Sequence, residues 1–305
     1  MFEDIKSSVN WASVEPVTKG WSDDKKYLVT TKAGERLLLR ISDASQYDLK
    51  AKEYAIITKY ASTGIKMSGP IEFGTCDGGK SVYILLTWLE GEDLEDVLPR
   101  LSEGEQYLLG RQAGEILRKI HSIPLDEADL PKNTKKEKKL FQLSHYEESN
   151  VRISGDETAI KYVRDNIDEI WKVPAVYQHG DFHPGNLIYS GDSTIGVIDF
   201  NRWEVGDPYE EFYKLESFGT ELSVPYCIGQ IDAYFQGGIP EGFWKANAVY
   251  VAHASLFSIK WAEKFGQEDI DGMVRRARAA FADFDGFNSY VPKWYTDEYS
   301  KEYDA

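Results

Sequence analysis

Apolar and polar positions along the chain change period near residue 88. Before it, apolar residues come in short β-branched and aromatic runs broken by turn residues, which predicts strands over 14–21, 27–31, 35–41, 70–73 and 81–88. Lys32-Ala33-Gly34 and Asp77-Gly78-Gly79 are expected to turn two hairpins, and residues 48–60 carry the one helical period of this part. After it, the spacing is mostly helical. Ser102 caps a helix carried to His121 by Leu108, Leu109, Ala113, Ile116, Leu117 and Ile120, and helices are predicted over 138–150, 156–171, 224–235, 241–265, 268–284 and 293–303. A strand at 175–179 interrupts them. The pattern predicts an α+β fold in two parts, residues 1–88 and 89–305.

Residues 74–81, Gly-Thr-Cys-Asp-Gly-Gly-Lys-Ser, match the Walker A pattern letter for letter. A working phosphate loop needs a helix after its Lys, because the helix amino terminus completes the anion site. Here a strand follows, so the match is read as accidental.

The stretch richest in chemistry is Tyr177-Gln178-His179-Gly180-Asp181-Phe182-His183-Pro184-Gly185-Asn186, answered by Gly196-Val197-Ile198-Asp199-Phe200-Asn201. Pro184 and Gly185 stop a helix, so Asp181 to Asn186 is a tight loop. Residues 187–189 and 195–198 read as two strands turned at 190–193, which brings Asn186 and Asp199 to the same end of a hairpin, able to hold one cation between them. Phosphoryl transfer needs such a set: oxygen ligands for magnesium and a carboxylate to take the proton of the attacking hydroxyl. The order Asp, Asn five residues on, then Asp-Phe is that of protein kinases, with His-Gly-Asp and Asp-Phe-Asn in place of His-Arg-Asp and Asp-Phe-Gly. His179 and His183 share no helical face across Gly180 and Pro184, so a zinc site is not expected, and His179 is expected to orient the loop.

With Gly206-Asp207-Pro208 added, this stretch closely resembles the aminoglycoside phosphotransferase family of small-molecule kinases, most strongly over residues 177–215 and more weakly over 17–123. The resemblance implies a bilobal kinase-like fold, with a small sheet-plus-helix lobe that binds the nucleotide and a larger, mainly helical lobe for catalysis and the acceptor. Asp181 would be the catalytic base, and Asn186 and Asp199 the Mg2+ ligands. ATP or GTP would be the co-substrate. Arg40 would stand where kinases carry a phosphate-binding Lys, paired with Glu53 from the following helix, Ser22 would donate to the phosphates from a turn at 19–24, and the main chain of Thr87 and Leu89 would meet the purine edge.

The formal charge is −16, which disfavours a nucleic-acid partner and suits a cationic acceptor. Trp203 and Glu204 follow the metal Asp on the side where an acceptor should arrive, and Glu210, Glu211, Glu263, Asp283, Asp285, Asp297 and Glu298 are further candidate clasps for amines, with Trp261 or Trp294 to stack on a sugar or cation. Asp207 is expected to cap the next helix. No run reaches the roughly 20 apolar residues that cross a bilayer, the start lacks a signal pattern, and two Cys argue for reduced thiols, so the expected setting is cytoplasmic with no membrane partner. Residues 131–139, with five Lys, read as an exposed, mobile linker or helix face. An aminoglycoside is the first acceptor to expect. A metabolic or macrolide kinase of the same chemistry, and a nucleotide-binding protein without catalysis, are the alternatives.

Overall fold

The computed structural model describes residues 2–18, 24–236 and 238–295. Strands form at the β-branched and aromatic runs: β1 (Trp11–Val17), β2 (Lys25–Thr31) and β3 (Arg36–Asp43), then α1 (Tyr47–Ala61), β4 (Pro70–Cys76) and β5 (Ser81–Thr87). The chain continues through β6 (Glu92–Asp93) to α2 (Leu94–Val97), α3 (Glu103–His121), α4 (Lys136–Glu147) and α5 (Glu157–Asn166). Short strands β7 (Val176–Gln178), β8 (Leu187–Tyr189), β9 (Ile195–Val197) and β10 (Glu204–Gly206) precede α6 (Val224–Phe235), α7 (Phe243–Ala262) and α8 (Gln267–Asp283).

Among the described residues, packing divides the chain into two compact units. The first is Met1–Glu92 with Asn186–Trp203, and the second is Asp93–Gly185 with Glu204–Ala305.

In the first unit five antiparallel strands lie in the order β1-β2-β3-β5-β4. Alternation along β2, β3 and β5 buries Val29, Leu39, Ile41, Tyr83 and Leu85 with Ile5 and Cys76. α1 packs on β4 and β5 and buries Ile56, Ile57 and Tyr60. The Walker-like residues turn the β4–β5 hairpin: Asp77, Gly78 and Gly79 all have positive φ, of 55°, 63° and 83°, and a strand follows Lys80. The β8–β9 hairpin belongs to this unit as well. Ser68 N–H donates to the Val197 carbonyl at 3.0 Å, Val197 N–H donates to that of Lys66 at 2.9 Å, and the Phe200 ring meets Tyr60 at 5.4 Å.

The second unit is built on helices. α3 starts with the expected cap, completed as a capping box in which Glu105 reaches back to the Ser102 N–H at 2.9 Å. α3 and α6 approach so closely that a Cβ on Gly110, Gly114 or Gly229 would collide with the main chain of the other helix. α7 is buried along most of its length against α4, α5 and α8.

Several expectations are corrected. β1 starts at Trp11, three residues early. Leu108 is 53% exposed, because the apolar stripe of α3 turns through Leu109 instead. The 131–139 stretch is exposed over 131–134 and opens α4 at Lys136, as a linker and helix face should, but Lys139 departs from it, buried against Glu210 at 2.6 Å, and Lys135 meets Glu204 at 2.5 Å. The segment after Asp207 is a 3-10 turn, Pro208–Phe212, then a π-helical turn, Leu215–Gly219. Residues 293–295 are not helical, and the rest of the helix expected to 303 lies outside the described residues.

Candidate active site

In the first unit Arg40 and Glu53 meet as the order of strand and helix suggests, with Arg40 Nη1 donating to Glu53 Oε1 at 2.6 Å. Arg40 sits in the interior of β3, and its side chain is 3% exposed, as is that of Glu53. Two further charges complete the group. Asp24 accepts from Arg40 Nη2 at 2.5 Å and Nε at 3.0 Å, and Lys50 on α1 donates to Asp24 at 2.8 Å and to Glu53 at 3.1 Å. Burial alone would lower the Arg40 guanidinium. Glu53, Asp24 and, beyond them, Asp199 outweigh it and raise it. Ser22 lies outside the described residues.

Asn186 and Asp199 flank the β8–β9 hairpin, as the sequence predicts. Ile198 N–H donates to the Asn186 carbonyl at 3.0 Å, which closes the hairpin at the end where both residues stand. Asp199 adopts φ 63°, ψ 62°, a left-handed conformation that Asp tolerates better than bulkier residues and that costs free energy to hold. An amide oxygen and a carboxylate are hard donors, the kind Mg2+ takes with phosphate and water completing its shell. Thr87 is committed to the sheet edge: its N–H donates to the Gly69 carbonyl at 2.8 Å and its own carbonyl accepts from Ser68 Oγ at 2.6 Å. Leu89 sets its side chain against Gly196, where a Cβ would strike it. The Trp203 N–H donates to the Phe200 carbonyl at 3.3 Å.

In the second unit Asp181 ends a sharply turned loop. Gly180 takes φ 81°, a conformation that favours glycine, and its N–H donates to Glu211 Oε1 at 2.5 Å. His179 is wholly buried and accepts the Asp181 N–H at 3.2 Å, while His183 accepts the Gly185 N–H at 3.2 Å. Both histidines thus orient the loop. Lys214, reached from 33 residues downstream, forms a buried ion pair with Asp181. Burial would lower the Lys214 ammonium, but Tyr213 and Asp181 hold it raised. Burial likewise pushes the Glu211 carboxyl up to about 8, against the Gly180 hydrogen bond and Lys214.

Of the candidate acceptor clasps, Glu204 and Glu210 are taken up by Lys135 and Lys139, and Glu263 by Lys260 and Ser149. Asp207 caps as expected, accepting the Tyr209 N–H at 3.0 Å, and also accepts from Trp171 N–H at 2.6 Å and Tyr250 Oη at 2.8 Å. Nothing along the chain marks Glu216. It is buried in the π-helical turn, accepts from Trp294 Nε1 at 2.8 Å, and shares a hydrogen bond with Asp283. These groups border a cavity of about 420 Å3, which Glu221, Arg275 and Arg276 also line. Burial raises the Glu216 carboxyl to about 8. The same turn serves the loop, since Phe218 stacks on His183 at 4.9 Å and follows Lys214 by four residues.

A β-strand cation held by a helix glutamate, and a left-handed Asp closing a short hairpin, place the chain in the kinase-like α+β class, whose members here are phosphotransferases of small molecules. Residues 13–243 match the profile described as the phosphotransferase enzyme family, and the chain belongs to that family. No curated protein sequence matches it. Its fold is similar to that of the GDP complex of wild-type aminoglycoside 2'-phosphotransferase-IIIa, with a TM-score of 0.68 at 15% identity, covering 92% of this chain and 96% of that one. Spectinomycin phosphotransferase APH(9)-Ia in complex with ADP and spectinomycin gives 0.65 at 14%, covering 90% and 95%. Amicoumacin kinase hAmiN with AMP-PNP, Ca2+ and its ligand gives 0.63 at 12%, covering 91% and 90%.

Proposed function

We propose that this phosphotransferase moves the γ-phosphate of ATP or GTP onto a hydroxyl of a small cationic acceptor, with an amine-bearing antibiotic of the aminoglycoside kind as the first candidate. The observation that carries the acceptor class is the cavity bordered by Glu216 and Asp283. Arg276 pairs with Glu221 at 2.7 Å, so among the cavity's lining residues the Glu216–Asp283 carboxyls stand against Arg275, and beside Trp294 they form a patch suited to an ammonium. Like-signed carboxyls held together share a proton, and an arriving ammonium takes that proton's place.

In this reading Asp181 orients the acceptor hydroxyl and accepts its proton. Lys214 fixes the Asp181 carboxylate through the buried ion pair and keeps it ionised. Asn186 and Asp199 would hold Mg2+, which when bound offsets the phosphate charge. Arg40, steadied by Glu53, faces the phosphates. The Leu89 main chain remains the proposed contact for the base, the Thr87 N–H and carbonyl being engaged by Gly69 and Ser68, and Trp203 is proposed on the acceptor side. The described helices include none long and apolar enough to cross a membrane.

A panel assay tests this: nucleotide consumption is followed with aminoglycosides, aminocyclitols, macrolides, amino alcohols and neutral sugars in turn. Transfer confined to amine-bearing acceptors is expected, and turnover with neutral sugars alone would remove the acceptor assignment. Glu216→Gln is expected to raise KM for a cationic acceptor about tenfold, the equivalent of roughly 1.4 kcal/mol, with a smaller change in kcat. The sign of the pH effect follows from the raised carboxyl. Below about 8 Glu216 carries the proton, so for an acceptor of fixed charge KM falls as pH rises through that value, and the glutamine variant loses this dependence.

Lys214→Met gives a second signature. Without the neighbouring ammonium the base is harder to keep ionised, so the acidic limb of the kcat/KM profile moves to higher pH. An unshifted limb would leave Lys214 with a structural role only.

A further inference from the structure

The charge cluster on the first unit contains one cation and one anion more than a strand-cation and helix-glutamate pair requires. Asp24 receives four donors from three side chains: Arg40 Nη2 at 2.5 Å and Nε at 3.0 Å, Lys50 Nζ at 2.8 Å, and Ser42 Oγ at 2.6 Å. The side chains of Arg40, Lys50 and Asp24 are 3%, 8% and 4% exposed. Two cations and a hydroxyl converging on one pair of oxygens is the donor set that a phosphate group takes.

Within the hydrogen-bonded group Arg40 and Lys50 contribute two positive charges and Glu53 and Asp24 two negative, with Asp199 a further negative charge beyond it, so removing Asp24 makes the seat more positive by one charge. The carboxylate cannot leave by taking up a proton near neutrality, since Arg40 and Lys50 outweigh the effect of its burial and hold it down at about 2. It has to be displaced.

We propose that Arg40 and Lys50 together form the seat for the nucleotide's phosphates, and that the Asp24 carboxylate competes with the triphosphate for this seat. The inference rests on the nucleotide-dependent reading above. It gives Lys50, a residue of α1 one turn before Glu53, a direct part in binding, and it makes nucleotide affinity the difference between the seat's attraction for phosphate and its attraction for its own carboxylate.

The test is equilibrium binding of MgATP and MgGTP to the full chain by calorimetry, for wild type, Asp24→Asn, Lys50→Met and the double variant, with circular dichroism to confirm folding. Asp24→Asn is expected to bind about tenfold tighter, because the competent state no longer has to be paid for. Lys50→Met should bind about tenfold weaker. The double variant keeps the charge of the seat unchanged, so it also serves if Asp24→Asn alone fails to fold: it should bind about tenfold tighter than Lys50→Met, and equal or weaker binding would overturn the proposal. It should bind more weakly than Asp24→Asn, and binding as tight as in Asp24→Asn would remove Lys50 from the seat. Wild-type binding with equal or weaker binding in Asp24→Asn overturns the proposal and makes Asp24 a brace for Arg40. Absence of binding in wild type and all variants is a different result, and it removes the nucleotide reading itself.

Discussion

Asp181→Ala is expected to lower kcat by about 10³-fold, within the range typical of a lost general base, while the Kd for MgATP or MgGTP stays within a factor of about two. The dissociation of the two effects follows from where Asp181 stands. Lys214, His183 and His179, which meet Asp181, belong to the helical unit, whereas the buried cations Arg40 and Lys50 belong to the sheet unit. The truncation removes a proton acceptor from a loop already fixed by Gly180, Glu211 and His179, so the fold should survive. Single-turnover kinetics beside calorimetry decides it. Turnover near the wild-type rate would require another base.

Asp199→Ala is expected to be as severe but through a different parameter. Losing one of two proposed Mg2+ ligands should cost on the order of 10²–10³-fold in kcat/KM and raise the Mg2+ concentration needed for half-maximal activity. Because Asp199 holds a left-handed backbone conformation, the Ala variant also loses a residue suited to φ 63°, so thermal stability should fall by about 1 kcal/mol. Asp199→Asn separates the two effects, since Asn tolerates that conformation while offering a poorer ligand. Unchanged Mg2+ dependence in both variants would take Asp199 out of the metal role.

What could be read along the chain was what depends on near neighbours. The loop from His179 to Asn186, the hairpin behind it and the Ser102 capping box are each specified within about a dozen residues, and turn and cap chemistry made them visible. Arg40 and Glu53 were legible because a strand followed directly by a helix leaves few ways to pair them. The groups that escaped are joined over long stretches. Lys50 lies 26 residues from Asp24, and Lys214 lies 33 from Asp181. Nothing local marks a Lys that will be buried, because its counter-ion is set by tertiary packing. The partners of Lys135 and Lys139 escaped for the same reason: Glu204 and Glu210 arrive some 70 residues later.

The attachment of Asn186–Trp203 to the sheet unit bears on how the protein is made. Until that hairpin emerges, the Lys66 carbonyl and the Ser68 amide lack the strand that satisfies them. The ribosome must therefore deliver the whole stretch from β5 to β9 before the sheet unit can reach its finished form, and the helices encoded in between have to wait or fold beside an incomplete neighbour.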